Sequence, residues 1–227
     1  MSSETDKQKH SEDGPAAEAT RGILFVVSSP SGGGKGTIVS RVLKTVPNLG
    51  YSVSFTTRPP RAGEREGFDY YFISPEKFNE MRSAGGFLEC AVVHGNLYGT
   101  GREEVWGKLR EGGDILLEID VQGAESVRET EPTAVSIFIL PPSFEILRAR
   151  LTGRGSEHPG DVELRLNNAC REVLHYTKFD YIVINDEAER AATQVASIIY
   201  AERARRTRQE EVVRRVLDSF PPAPATA

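Results

Sequence analysis

The apolar run Ile23-Leu24-Phe25-Val26-Val27 leads directly into Ser28-Ser29-Pro30-Ser31-Gly32-Gly33-Gly34-Lys35-Gly36-Thr37, and no other feature constrains the fold of this 227-residue chain as tightly. The run has the length and β-branching of a buried strand, and the apolar residues that resume at Thr37-Ile38-Val39-Ser40-Arg41-Val42-Leu43 are spaced for a helix. Strand, glycine-rich turn and helix in that order predict a phosphate-binding loop. Glycines let the backbone turn tightly enough to aim several N–H groups inward, at a helix N-terminus that already favours anions. Lys35 adds a point charge where β- and γ-phosphates would sit. The common pattern G-x-x-x-x-G-K-[ST] has glycine where this chain has Ser29 and a hydroxyl residue where it has Gly36, so the loop departs from it twice.

A chain of this length supports one sizeable core with a small inserted lobe, and a hydrophobic content of 38% is ordinary for a globular protein. No apolar stretch approaches the ~20 residues of a membrane span, and the polar, acidic start lacks the basic-then-apolar layout of a secretion signal. The expectation is a soluble, cytoplasmic protein without a membrane partner. A formal net charge of −5 argues against general nucleic-acid binding, which needs a strong cationic field. The basic run Arg203-Ala204-Arg205-Arg206-Thr207-Arg208 fits the last turns of a helix. Cys90 and Cys170 lack metal or redox spacing and are expected as reduced thiols, and His10, His94, His158 and His175 share no ligand-like spacing. The oligomeric state stays open.

Residues 1–20 are polar, without a repeating apolar position, and are expected as a disordered tail; 209–227 is expected as a helical extension ending in a Pro/Ala-rich tail. Between them, the apolar runs at Ile115-Leu116-Leu117, Val135-Ser136-Ile137-Phe138-Ile139-Leu140 and Tyr181-Ile182-Val183-Ile184 alternate with helical segments starting near Val121, Ser143 and Asp186. That alternation predicts an α/β fold, a parallel sheet flanked by helices on both faces. Residues 51–101 break the rhythm and are expected as a small inserted lobe of short antiparallel strands, between core segments 21–50 and 102–208. Over 148–162 a helix runs into a Gly-rich turn studded with arginines, which suggests a lid, with Asp161 capping a following helix through about Tyr176.

Five segments in this order carry a family resemblance: the loop Ser29-Pro30-Ser31-Gly32-Gly33-Gly34-Lys35; Ser54-Phe55-Thr56-Thr57-Arg58-Pro59-Pro60-Arg61-Ala62-Gly63-Glu64; Gly95-Asn96-Leu97-Tyr98-Gly99-Thr100; Glu118-Ile119-Asp120-Val121-Gln122-Gly123-Ala124; and Phe138-Ile139-Leu140-Pro141-Pro142-Ser143. Over about Gly22 to Arg208 the chain closely resembles the guanylate kinase family. The resemblance implies an enzyme of purine metabolism that transfers the γ-phosphoryl group of ATP to GMP with Mg²⁺, built as a P-loop core with an inserted β-rich GMP-binding lobe and an Arg-rich lid. Two other readings compete. A kinase on the same scaffold could act on AMP or a ribose phosphate, against which Glu89, Thr100 and the two-arginine lobe argue. A guanylate-kinase-like module that binds phosphopeptides has typically lost the phosphate loop, whereas Gly34-Lys35 is intact here.

Phosphoryl transfer needs charge neutralisation and in-line positioning, so cationic groups should converge from different elements. The catalytic candidates are Lys35, Arg58, Arg150, Arg154 and Arg165. On a helix, Arg150 and Arg154 would share a face and repel by a few tenths of a kcal/mol, a cost that a phosphate would relieve; a solvated basic face is the plain alternative. Arg58 and Arg61 flank the stiff Pro59-Pro60, and each fork can grip a phosphate. By resemblance these two hold the GMP phosphate with the hydroxyls of Tyr70 and Tyr98, while Glu64 orients an arginine. Packing for the tyrosines and a surface ion pair for Glu64 remain open.

Glu89 lies inside an apolar strand, where a carboxylate must find a partner or face a pocket. Guanine offers two donors, N1–H and the exocyclic amine, to its two oxygens, and adenine lacks that arrangement. Resemblance adds Ser54, Thr100 and Asp120 as base contacts. On the ATP side it implies the loop residues Ser29, Pro30, Ser31, Gly32, Gly33, Gly34, Lys35, Gly36 and Thr37, with Asn185 against the adenine; Asp186 beside it could serve as a helix cap. Glu118 and Asp120 end a predicted parallel strand on one side, where such sheets bind ligands. The family usually has Asp at the position of Glu118, and Gly36 lacks the hydroxyl that approaches Mg²⁺. Thr37, about 100° further round the helix, is the remaining hydroxyl candidate for the metal. Adenylate kinases also carry Gly-Lys-Gly-Thr, which suggests a cation held mostly by phosphates and water.

Overall fold

The computed structural model describes residues 21–93, 95–153 and 159–221, without the side chains of 159–161. The tail expected over 1–20, Arg154 with the lid turn around it, and the end from 222 lie outside the described residues.

The chain opens with β1 (Leu24–Ser28), α1 (Lys35–Thr45) and β2 (Leu49–Tyr51). Then come β3 (Phe55–Thr56), β4 (Tyr71–Phe72), α2 (Pro75–Ser83), β5 (Phe87–Val93) and β6 (Asn96–Gly101). Helix and strand alternate afterwards through α3 (Arg102–Arg110), β7 (Asp114–Glu118), α4 (Val121–Thr130), β8 (Val135–Leu140) and α5 (Phe144–Thr152). The chain closes with α6 (Pro159–Glu172), β9 (Tyr181–Ile184), α7 (Ala188–Arg203) and α8 (Glu210–Asp218).

Among the described residues the main sheet has the order β2-β7-β1-β8-β9, and every pairing is parallel, as the alternation predicts. Successive side chains point to opposite faces. Phe25, Val27, Leu116 and Ile137 pack with Ile38, Val39 and Val42 of α1 and Ala191, Val195 and Ile199 of α7. Leu24, Val26, Ile115 and Leu117 pack with Val105 and Leu109 of α3 and Ala124 and Val127 of α4. A strand covered on both faces has to be apolar throughout, which is why these runs do not alternate with polar residues. The step from β7 to β8 passes across β1, so the carboxyl end of β1 lies at the crevice where open parallel sheets bind ligands.

The second sheet has the order β4-β3-β6-β5 and is mixed. The antiparallel expectation holds for β5 with β6 and for β3 with β6, but β3 and β4 run parallel. A parallel pair needs a long return, and residues 57–70, which carry Arg58, Arg61 and Glu64, make that excursion. The helix expected from an Asp161 cap instead begins at Pro159, a residue suited to a first turn because it has no N–H to leave unpaired. α7 starts at Ala188, and Asp186 lies before its cap position, accepting from the Glu187 N–H and pairing with Arg190.

Candidate active site

The loop between β1 and α1 is held from several sides. Gly34, the residue that caps α1, has φ +89°, and a Cβ there would stand 2.3 Å from Asn185 Nδ2, so both conformation and space demand glycine. Gly32 (φ +82°) is equally constrained, since a Cβ would meet the Leu147 and Leu151 side chains of α5 within 2.9 Å. Asn185, 4% exposed after β9, donates from Nδ2 to the Gly33 carbonyl at 2.7 Å. Its Oδ1 is buried with no hydrogen-bond partner among the described residues, and so is Nη1 of Arg150, whose Nη2 donates to the Asn185 carbonyl at 2.8 Å. From α6, Arg165 donates through Nε to Ser31 Oγ at 2.9 Å, and Glu172 accepts the Ser31 N–H at 2.8 Å. Lys35 donates from Nζ to the Ile119 carbonyl at 2.6 Å, tying the start of α1 to the end of β7.

A cleft beside the loop is lined by Lys35, Glu118, Ile119 and Asp120 on one side and by Ser54, Tyr70, Glu89 and Tyr98 on the other. Residues of the main sheet and of the second sheet therefore face one another across a single crevice. Thr37 is exposed on α1 and does not line it.

On the second-sheet side Arg58 is locked in place. Nη1 and Nη2 meet the two Glu64 carboxylate oxygens at 3.0 and 2.8 Å, Nε donates to the Tyr98 hydroxyl at 3.2 Å, and Nη1 also reaches the Pro59 carbonyl. The guanidinium carbon lies 5.4 Å from the Tyr70 ring centre. Bidentate pairing is the geometry in which Arg and a carboxylate hold each other best, and it raises the Arg58 pKa and lowers that of Glu64. Glu64 thus orients an arginine, and it also accepts the Arg61 N–H at 2.7 Å, while the Arg61 side chain is exposed and does not line the cleft. Burial is the first cause that pushes the Tyr70 hydroxyl up to about 12.

Glu89, 6% exposed, accepts from Thr100 Oγ1 at 2.6 Å. Its other oxygen lies against Gly123, where a Cβ would approach to 2.6 Å. Burial raises its pKa to about 7, with the Asp120 charge adding and Thr100 and Lys35 opposing. Asp120 caps α4, accepting the Gly123 N–H at 2.9 Å. Three residues here were not anticipated. Gly123 had a signal, a glycine inside a helix within a recognised segment, whereas the carbonyl of Ile119 and the carboxylate of Glu172 had none.

The family model described as guanylate kinase matches residues 21–202 of this chain. A guanylate kinase of Nitrosomonas europaea is 50% identical over 186 residues, covering 82% of this chain and 92% of that protein. A guanylate kinase of Thermotoga maritima is 47% identical over 195 residues, covering 86% and 94%. The crystal structure of guanylate kinase from Anaplasma phagocytophilum aligns with a TM-score of 0.72 at 35% identity, covering 89% of this chain and 97% of that one.

Proposed function

This chain belongs to the guanylate kinase family, and from that premise we propose that it transfers the γ-phosphoryl group of ATP to GMP, giving ADP and GDP. The observation that carries this reading is the cleft in which Lys35 of the phosphate loop faces Glu89, Tyr70 and Tyr98 of the second sheet. Donor and acceptor phosphates held on its two sides would meet between them, and positioning of that kind supplies most of the catalysis in phosphoryl transfer.

On the ATP side, the loop Ser29 to Thr37 cradles the phosphates through the N–H groups at the start of α1, the Ser31 N–H being held by Glu172 and that of Gly33 by the Pro30 carbonyl, and Lys35 neutralises charge on the transferring group. The unpartnered Asn185 Oδ1 and Arg150 Nη1 support roles toward the nucleotide beside the loop. Arg165 positions the loop through Ser31. On the GMP side, Glu89, Ser54, Thr100 and Asp120 read the base. Arg58, with one Nη2–H beyond its four contacts, binds the phosphate together with Arg61, Tyr70 and Tyr98.

Among the described residues no cluster of three His, Cys, Asp or Glu side chains could hold a metal alone. That suits Mg²⁺, which keeps several waters and is bound through one or two carboxylates plus substrate phosphates. Glu118 is a cleft carboxylate that lies against Gly36 at the start of α1 and fits this role better than the exposed Thr37. When bound, Mg²⁺ supplies charge neutralisation on the phosphates.

Glu89 disfavours the AMP and ribose-phosphate alternatives, and the intact loop disfavours a phosphopeptide module. A coupled assay of ADP formation from ATP with GMP, AMP, UMP and ribose 5-phosphate tests the reading; turnover with GMP no faster than with AMP would reject it. Within this scheme Arg61→Ala should raise the Michaelis constant for GMP about tenfold or more while that for ATP moves less than about threefold. Equal shifts for both substrates would remove Arg61 from the acceptor side.

A further inference from the structure

Gly36, where the common loop pattern has a hydroxyl residue, and Glu118, where the family usually has Asp, meet in space. Gly36 is the second residue of α1 and Glu118 the last of β7. A Cβ built on Gly36 would stand 3.3 Å from Glu118 Oε1 and 3.8 Å from Oε2, so a side chain at position 36 would press on the carboxylate and push it back by a few tenths of an ångström. Among the described residues no hydrogen bond or ion pair holds this half-buried carboxylate, although it lines the cleft beside Lys35. Its field raises the hydroxyl pKa of Tyr51 on the neighbouring β2, second only to burial, and to a smaller extent that of Tyr70 across the cleft. An aspartate at position 118 would withdraw the carboxylate by one methylene, about 1.5 Å, and open room for a hydroxyl at 36.

We propose that Gly36 and Glu118 form one size-matched pair, in which the Glu118 carboxylate supplies, beside the first turn of α1, the oxygen that a hydroxyl at position 36 supplies in the common pattern. The oxygen serves the divalent cation that accompanies ATP, and this rests on the reading of ATP as donor. Glutamate with glycine and aspartate with serine are then two equivalent solutions, and the mixed combinations are defective. With glutamate and serine the first turn of α1 is crowded; with aspartate and glycine both oxygens are out of reach.

A double-mutant cycle tests the coupling, using Mn²⁺ as the spectroscopic probe and reading its affinity for the protein–ATP complex by electron paramagnetic resonance, with thermal melting of each protein. Glu118→Asp and Gly36→Ser should each weaken Mn²⁺ at least about tenfold, and the double variant should return to within about threefold of the original. Glu118→Gln, which keeps the size and removes the charge, should lose Mn²⁺ affinity at an unchanged melting temperature. If Gly36→Ser does not fold, Gly36→Ala carries the crowding alone and should be relieved by Glu118→Asp. Losses that multiply in the double variant, or full Mn²⁺ affinity in Glu118→Gln, overturn the pairing. Wild-type ADP formation with GMP tests the donor reading separately, so an active enzyme with a multiplicative cycle fails only the pairing.

Discussion

Replacing Lys35 by Met should lower turnover by about 10³-fold while leaving a folded protein, because removal of one preorganised cationic or hydrogen-bonding group from a developing charge costs on that order. The structure adds a smaller, separate effect. Lys35 Nζ donates to the Ile119 carbonyl, so the variant also loses a charge-assisted hydrogen bond between α1 and β7. Such a bond is worth about 1.5 kcal/mol, which for a chain of this size corresponds to a melting temperature lower by roughly 3–6 °C. Turnover and melting are thus expected to part company by orders of magnitude. A folded variant that keeps more than about a tenth of wild-type turnover would remove Lys35 from the transferring phosphate.

The second large effect concerns Glu89. Truncation to Ala should cut kcat/KM for GMP by at least about 10³-fold, since a site built to pair with substrate N–H groups discriminates strongly once its own polar partner is gone. The intact residue should also make GMP binding depend on pH. Only the ionised carboxylate accepts both guanine donors, and burial holds the ligand-free pKa near 7, with Asp120 at the start of α4 adding and Thr100 of β6 and Lys35 of α1 opposing. The Michaelis constant for GMP should therefore be flat above about pH 8 and rise about tenfold per pH unit well below 7, while that for ATP stays flat across the range.

The stability linkage has the opposite sign. A carboxyl whose folded pKa is raised from 4.5 to about 7 favours the folded protein most below 4.5 and loses that contribution, roughly 3 kcal/mol, as the pH climbs through 7. Glu89→Gln should flatten this part of the stability profile. A Michaelis constant for GMP unchanged between pH 6 and 8 would show that the Glu89 charge state does not govern binding.

Much of this chain was legible before any fold. The phosphate loop is local chemistry, with strand, glycines, lysine and helix contiguous from Ile23 to Leu43, and the buried strands announce themselves because a sheet covered on both faces tolerates only apolar runs. The order of five short segments was enough to indicate the family. The pairing of Glu64 with Arg58 was also within reach, since both lie in one such segment.

Tertiary structure decided what depends on long-range packing. The loop is braced by Glu172 on Ser31, 141 positions away, and by Asn185 on Gly33, 152 positions away, and no periodicity or composition marks either contact. The parallel pairing of β3 with β4 depends on where the excursion over 57–70 returns, not on the propensity of two-residue strands. Most telling are Gly36 and Glu118, which in sequence are two unrelated departures and in space are neighbours, because the end of β7 lies next to β1 and therefore beside the first turn of α1. A residue's size can be judged only against what fills the space opposite it, and that neighbour is chosen by the fold.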